Sequence, residues 1–185
     1  APTVRSRAQC RDHRVERASL ASKFRDRCLA DRDHDSQPGA RPGTYALLLR
    51  IASTGIVRIG RREWLPLAPG WAVYAGSAFG PGGIAARLAH HRRSAVRPHW
   101  HIDYLRRYAL LETVWFSHDP IRRECAWAAV LARELGGRAP PFRFGASDCR
   151  CPAHLYSFSA RPKLAVFVAA LKSWDPGHAA VIEVC

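Results

Sequence analysis

The chain has 185 residues and carries 29 Lys and Arg against 15 Asp and Glu, a formal net charge of +14 at pH 7. Its 48% of hydrophobic residues supports one core, and no stretch of about 18 consecutive apolar residues exists to span a bilayer. The positive excess argues for an anionic partner, nucleic acid above all, and against a membrane-embedded role. Residues 1–42 are mixed in charge and poor in large apolar groups. A short helix is predicted over 16–29, and the run from Asp35 to Gly43, with Pro38, Gly39 and Pro42, reads as a linker. Residues 1–42 are therefore expected as a basic, loosely ordered tail.

The apolar run Tyr45 to Ile51 reads as a buried strand. Ile56 to Ile59 is predicted as its hairpin partner across Thr54-Gly55, followed by a second turn over 60–64. Gly70 to Gly76 is the next strand. A helix is predicted over 83–93, with Ile84, Leu88 and His91 on one face, and a second over 99–108, with Trp100, Tyr104 and Leu105 or Tyr108 inward. A strand over 109–116 follows. Asp119-Pro120 has the form of a helix start, a capping carboxylate and then proline in the first turn, and Gly136-Gly137 ends that helix. A strand over 155–158 and an apolar helix over 164–171 complete the pattern. The order predicts a small α/β (α+β) domain with an antiparallel central sheet flanked by helices, spanning 43–160, with 161–185 as a helical extension.

Almost all of the positive charge is arginine; the only lysines are Lys23, Lys163 and Lys172. The planar guanidinium suits bidentate phosphate contacts. Ala1 to Arg7 is not expected to be a signal peptide, and on that reading the six cysteines are expected as reduced thiols in a cytoplasmic protein. Cys149-x-Cys151-x-x-His154 has the form of half a zinc site. A closed site needs four ligands, and Cys125 joins them only if the fold allows it. The competing expectation is a tight turn capped by Asp148, with the thiols packed as small hydrophobes.

Two tyrosines, a glycine-rich turn, several arginines and one late glutamate follow each other in the chain. Gly43-Thr44-Tyr45 and Tyr74-Ala75-Gly76 resemble the two signature elements of the GIY-YIG nuclease superfamily. The segments Tyr74 to Leu88, His99 to Leu105 and Phe144 to Leu155 are similar to its Uri-type, DUF123-like branch, over roughly residues 43–158. The resemblance implies a metal-dependent endonuclease acting on DNA. It implies Tyr45 and Tyr74 on neighbouring strands, Arg87 on the next helix balancing phosphate charge, and Glu124 on a later helix as ligand of Mg2+ or Mn2+. A tyrosine beside the attacking water is implied as the base or its helper.

Physical chemistry agrees in part. One carboxylate plus waters makes a reasonable magnesium site, whereas a free tyrosine, with a pKa near 10, is a poor base at neutral pH. His101 is expected as a supporting catalytic residue. Gly76, Ser77, His91, Arg92, Arg93 and Arg97 are expected to contact nucleic acid, Gly76 by permitting close approach, and Trp100 is a candidate for stacking on a base.

Two features depart from the superfamily pattern. The tyrosine motifs lie further apart than usual, which an inserted hairpin over 54–69 explains. The chain contains no asparagine, although many members use a late one. A catalytically weak nucleic-acid-binding module of the same fold is therefore the alternative, and a zinc-stabilised interaction domain a third reading. A partner protein could supply specificity to so small a domain.

Overall fold

A computed structural model describes residues 37–93 and 97–185. The helix expected over 16–29 and the tail up to residue 36 lie outside the described residues. The elements in chain order are β1 (Thr44–Ile51), β2 (Gly55–Ile59), β3 (Glu63–Leu67), β4 (Gly70–Ser77), α1 (Gly83–Arg92), α2 (His101–Leu105), β5 (Leu110–Ser117), α3 (Glu124–Arg133), β6 (Leu155–Phe158), α4 (Leu164–Trp174) and β7 (Ile182–Val184). Five strands form one antiparallel sheet in the order β6-β4-β1-β5-β7, and β2 and β3 pair separately. The protein is a mixed α+β fold, as expected. No helix among the described residues is long and apolar enough to cross a membrane.

Strand periodicity of two explains the layering. From central β1, Tyr45, Leu47, Leu49 and Ile51 face one core, shared with Val57, Ile59, Leu65 and Leu67 of the small hairpin, Ile84 and Leu88 of α1, Ile102 and Leu105 of α2, and Phe144. Ala46 and Leu48 face the other, with Trp115 and with Trp127, Val130 and Leu131 of α3 and Phe167 and Leu171 of α4. Both faces are covered, so β1 is apolar almost throughout. Each large side chain fully buried here contributes roughly 1.5–3 kcal/mol.

Four elements differ from expectation. Ile56–Ile59 pairs with β3, not β1: Val57, Ile59, Leu65 and Leu67 alternate inward across the turn at Gly60, while β1 takes β4 and β5 as neighbours. An inserted hairpin does separate β1 from β4. The second helix is confined to five residues, and Tyr108 is exposed. The third helix begins at Glu124 rather than at Asp119. The Asp119 carboxylate accepts from the N–H groups of Ile121 and Ala179 and faces Arg123, closing a turn instead of capping a helix. A short edge strand, β7, pairs with β5 where no strand was predicted.

The segment 37–43, expected as linker, has a structural role. The carbonyls of Gly39 and Arg41 accept hydrogen bonds from the N–H groups of Ala85 and Ile84, satisfying donors that the first turn of α1 leaves open.

Candidate functional site

A cleft of about 380 Å³ opens where β1, β4, α1, α2, α3 and the 145–154 loop meet. Tyr45 and Tyr74 reach it from neighbouring strands. Tyr45 pairs in register with Gly76. A Cβ on Gly76 would lie 2.6 Å from Cζ and from the hydroxyl of Tyr45. Glycine is therefore required there for the phenol to lie against β4. Gly145 plays the same part for Tyr74: its φ is +70°, and a Cβ would meet the Tyr74 ring at 2.7 Å.

Helix α1 supplies two groups at i and i+4, Arg87 and His91, which share a face by helical spacing. The Tyr45 hydroxyl lies 2.8 Å from His91 Nε2, and both residues are only 2% exposed. Burial drives the His91 pKa down to about 3, assisted by His90, so the ring is neutral. Burial also raises Tyr45 well above the usual tyrosine range and Tyr74 to about 12, although Arg87 pulls both down. With both groups neutral, the phenol is the better donor and the imidazole nitrogen the better acceptor. The remaining imidazole proton then sits on Nδ1, which is buried without a partner.

The Arg87 guanidinium stacks on Trp100, 4.3 Å from the ring centre. Trp100, a candidate for stacking on a base, thus carries an arginine over its ring. Behind this pair, Asp103 is buried. Its carboxylate accepts from the N–H groups of His99 and Trp100 and from His90 Nε2, all at 3.0 Å. Burial raises the carboxyl pKa, but these hydrogen bonds outweigh it and hold Asp103 below the ordinary value.

Glu124 opens α3. The preceding Arg123 N–H donates to Thr44 Oγ1 at 3.0 Å, so the threonine that begins β1 fixes where the helix starts. Glu124 Oε2 is buried and has no hydrogen-bond partner, while Oε1 is 3.9 Å from Arg122. Arg122 also donates to Ser77 Oγ at 3.3 Å and lies over Phe79. An unpartnered carboxylate oxygen lining a cleft is a natural ligand for a hard cation. A single carboxylate is compatible with magnesium, which keeps several waters.

His101 lines the cleft, but its Nδ1 accepts the Gly145 N–H at 3.2 Å and its ring packs edge-on against Phe144. Burial lowers its pKa, which favours the neutral ring, and its hydrogen bond ties it to the 145–154 loop.

Tyr45, Tyr74, Gly76, Ser77, Arg87, His91, His101 and Glu124 therefore share one cleft. Arg92, Arg93 and Arg97 are exposed and outside its lining; Arg92 donates to the carbonyl of Cys185. His91, expected as a nucleic-acid contact, lines the cleft but is buried, with Nε2 against the Tyr45 hydroxyl. Sequence reasoning missed Arg122 and Phe79 as cleft residues; the position of Arg122 two residues before Glu124 was the available signal.

Neither the curated proteins nor the solved structures contain a match to this chain. A family model does match, over residues 44–173, which includes every cleft residue named above. The chain belongs to the family described as a domain of unknown function, DUF123.

Proposed function

We propose that the cleft binds a phosphodiester and hydrolyses it, making the protein a metal-dependent endonuclease acting on DNA, as the GIY-YIG resemblance implies. The observation that carries this reading is the convergence of Arg87, the Tyr45–His91 pair and the unpartnered Oε2 of Glu124 on one cleft. These groups respectively neutralise phosphate charge, move a proton and hold a divalent cation.

The chain's own residues have distinct tasks. Arg87, held over the ring of Trp100, presents its donors to the non-bridging oxygens and stabilises charge that builds in the transition state. Arg122 adds a second cation to the cleft. Tyr45 is too weakly acidic to act as a preformed phenolate. It accepts a proton from the attacking water as it passes its own to His91 Nε2. The negative phosphodiester in the cleft raises the proton affinity of His91, which is low in the free protein. Tyr74 remains protonated and donates to a phosphate oxygen. Glu124 would hold Mg2+ or Mn2+ together with waters, and that ion when bound supplies Lewis-acid stabilisation of the phosphate and the leaving oxygen.

The strongly basic chain supplies sequence-independent affinity that falls steeply with salt. Incubation with a panel of single-stranded, double-stranded and branched DNAs, with and without Mg2+ or Mn2+, tests the reading. Metal-dependent cutting supports it. Salt-sensitive binding without cutting on every member supports a non-catalytic binding module in its place.

A further inference from the structure

On the flank of the cleft, the fold assembles a second set of ligands. Cys125 lies in the first turn of α3, next to Glu124. Cys149, Cys151 and His154 lie on the loop that leads into β6. The three sulfurs and one ring nitrogen all lie within 4.8 Å of one another. We propose that these four residues form a Cys3His site for one structural Zn2+, distinct from the Glu124 position.

The geometry matches the ion. A tetrahedron built on the usual zinc–sulfur and zinc–nitrogen bond lengths has edges of roughly 3.5–3.8 Å. His154 Nε2 is 3.4 Å from Cys149 Sγ and 3.7 Å from Cys125 Sγ. No spacing is wider than 4.8 Å, at most about 1 Å beyond a tetrahedral edge, a gap that small side-chain rotations close around an ion. All three thiols are free, with no disulfide among them.

The competing account, thiols packed as small hydrophobes, fits poorly. Cys125 is exposed and Cys149 and Cys151 are half-buried, so none of them fills a core. Three soft sulfur ligands and an imidazole select zinc over magnesium, and four protein ligands leave no open position for a substrate water. The site is therefore structural.

Its placement gives it a purpose. The His154 carbonyl accepts from the Ala75 N–H at 2.9 Å, beside Tyr74, and the His154 N–H donates to the Phe144 carbonyl at 2.8 Å. A bound ion would tie the first turn of α3, and hence Glu124, to the loop and to β4. Three walls of the cleft are then held by one staple.

Metal analysis of the full chain, purified without chelator, tests the site without reference to nuclease activity. About one equivalent of zinc per chain is expected. It should be lost in Cys125→Ser and in Cys149→Ser and retained in Cys185→Ser. Should the ligand variants fail to fold, the wild type is stripped and titrated with Co2+. The strong visible absorption of tetrahedral cobalt, with thiolate charge transfer, is then expected, and chelation should lower Tm by roughly 10 °C or more. Zinc absent from the purified protein together with no tetrahedral cobalt spectrum would overturn the proposal. So would undiminished zinc in a folded Cys125→Ser variant, or iron in place of zinc. A zinc site in a protein that cuts no DNA would leave this inference standing and remove the nuclease reading alone.

Discussion

The Tyr45 hydroxyl and His91 Nε2, 46 residues apart in sequence, meet at 2.8 Å on the cleft wall, each residue only 2% exposed. Neither group is charged at neutral pH, because burial raises one pKa and lowers the other. Burial opposes a phenolate–imidazolium pair, so in the proposed reaction Tyr45 passes its proton to His91 only as it takes one from the attacking water.

Replacing Tyr45 with Phe removes that path and little else. Cleavage is expected to fall by about 10²-fold or more, the usual scale of lost acid–base assistance. Stability should change by about 1 kcal/mol, since one hydrogen bond is lost. Single-turnover cleavage and urea unfolding measure the two effects, and DNA affinity at low salt should stay near the wild-type value.

Gly76→Ala tests the close approach of the strands at the phenol. The new methyl would lie 2.6 Å from Tyr45, whose ring is locked in the core, so the ring or β4 must shift. A loss of roughly 1–3 kcal/mol is expected, as for other overpacked sites. Denaturant unfolding should show it, accompanied by reduced cleavage.

His91 makes stability depend on pH with a defined sign. Its folded pKa, about 3, lies below the ordinary value of 6.5 because burial and His90, with smaller contributions from Arg87 and Arg106, oppose the charged ring, while Asp103 favours it. Between pH 6.5 and 3 the unfolded chain binds the extra proton. Stability therefore falls as pH drops through that window, by at most about 1.4 kcal/mol per pH unit from this group. His91→Gln should flatten the wild-type curve there, whatever its offset at pH 7. Chemical denaturation at several pH values measures the difference.

Arg87→Lys keeps the charge but loses the guanidinium over Trp100 and the two-pronged donor. Cleavage is expected to drop about 10-fold or more, while the salt dependence of DNA binding, which counts charges, stays almost unchanged. A titration series in KCl run beside the kinetics separates these outcomes.

Much of the fold is legible in the chain, and the misreadings have local causes. β1, β4 and β5 stand out as apolar runs, and α1 by Ile84, Leu88 and His91 on one face. The β2 partner was misassigned because Glu63-Trp64 was read as turn, although Leu65 and Leu67 continue an alternation that Val57 and Ile59 begin. Asp119-Pro120 carries a genuine helix-start pattern. Tertiary contacts to Ala179 and Arg123 divert its carboxylate. Three residues at the edge, Ile182–Val184, leave no periodic signal to read. In the cleft, the tyrosines, Arg87 and Glu124 were recognisable from motif order. The pairing of His91 with Tyr45 and the arrival of Cys125 beside Cys149, Cys151 and His154 were not, because both depend on contacts between segments distant in sequence.

The most direct test of the account is cleavage of a DNA panel by wild type and Glu124→Gln, each with and without Mg2+ or Mn2+. The substitution keeps the side-chain shape and removes the charge of the buried, unpartnered carboxylate. The account predicts metal-dependent cutting by the wild type and a loss of about 10²-fold or more in the variant, with DNA binding retained. A wild type that cuts no DNA in either metal, or a variant that cuts at the wild-type rate, would contradict it.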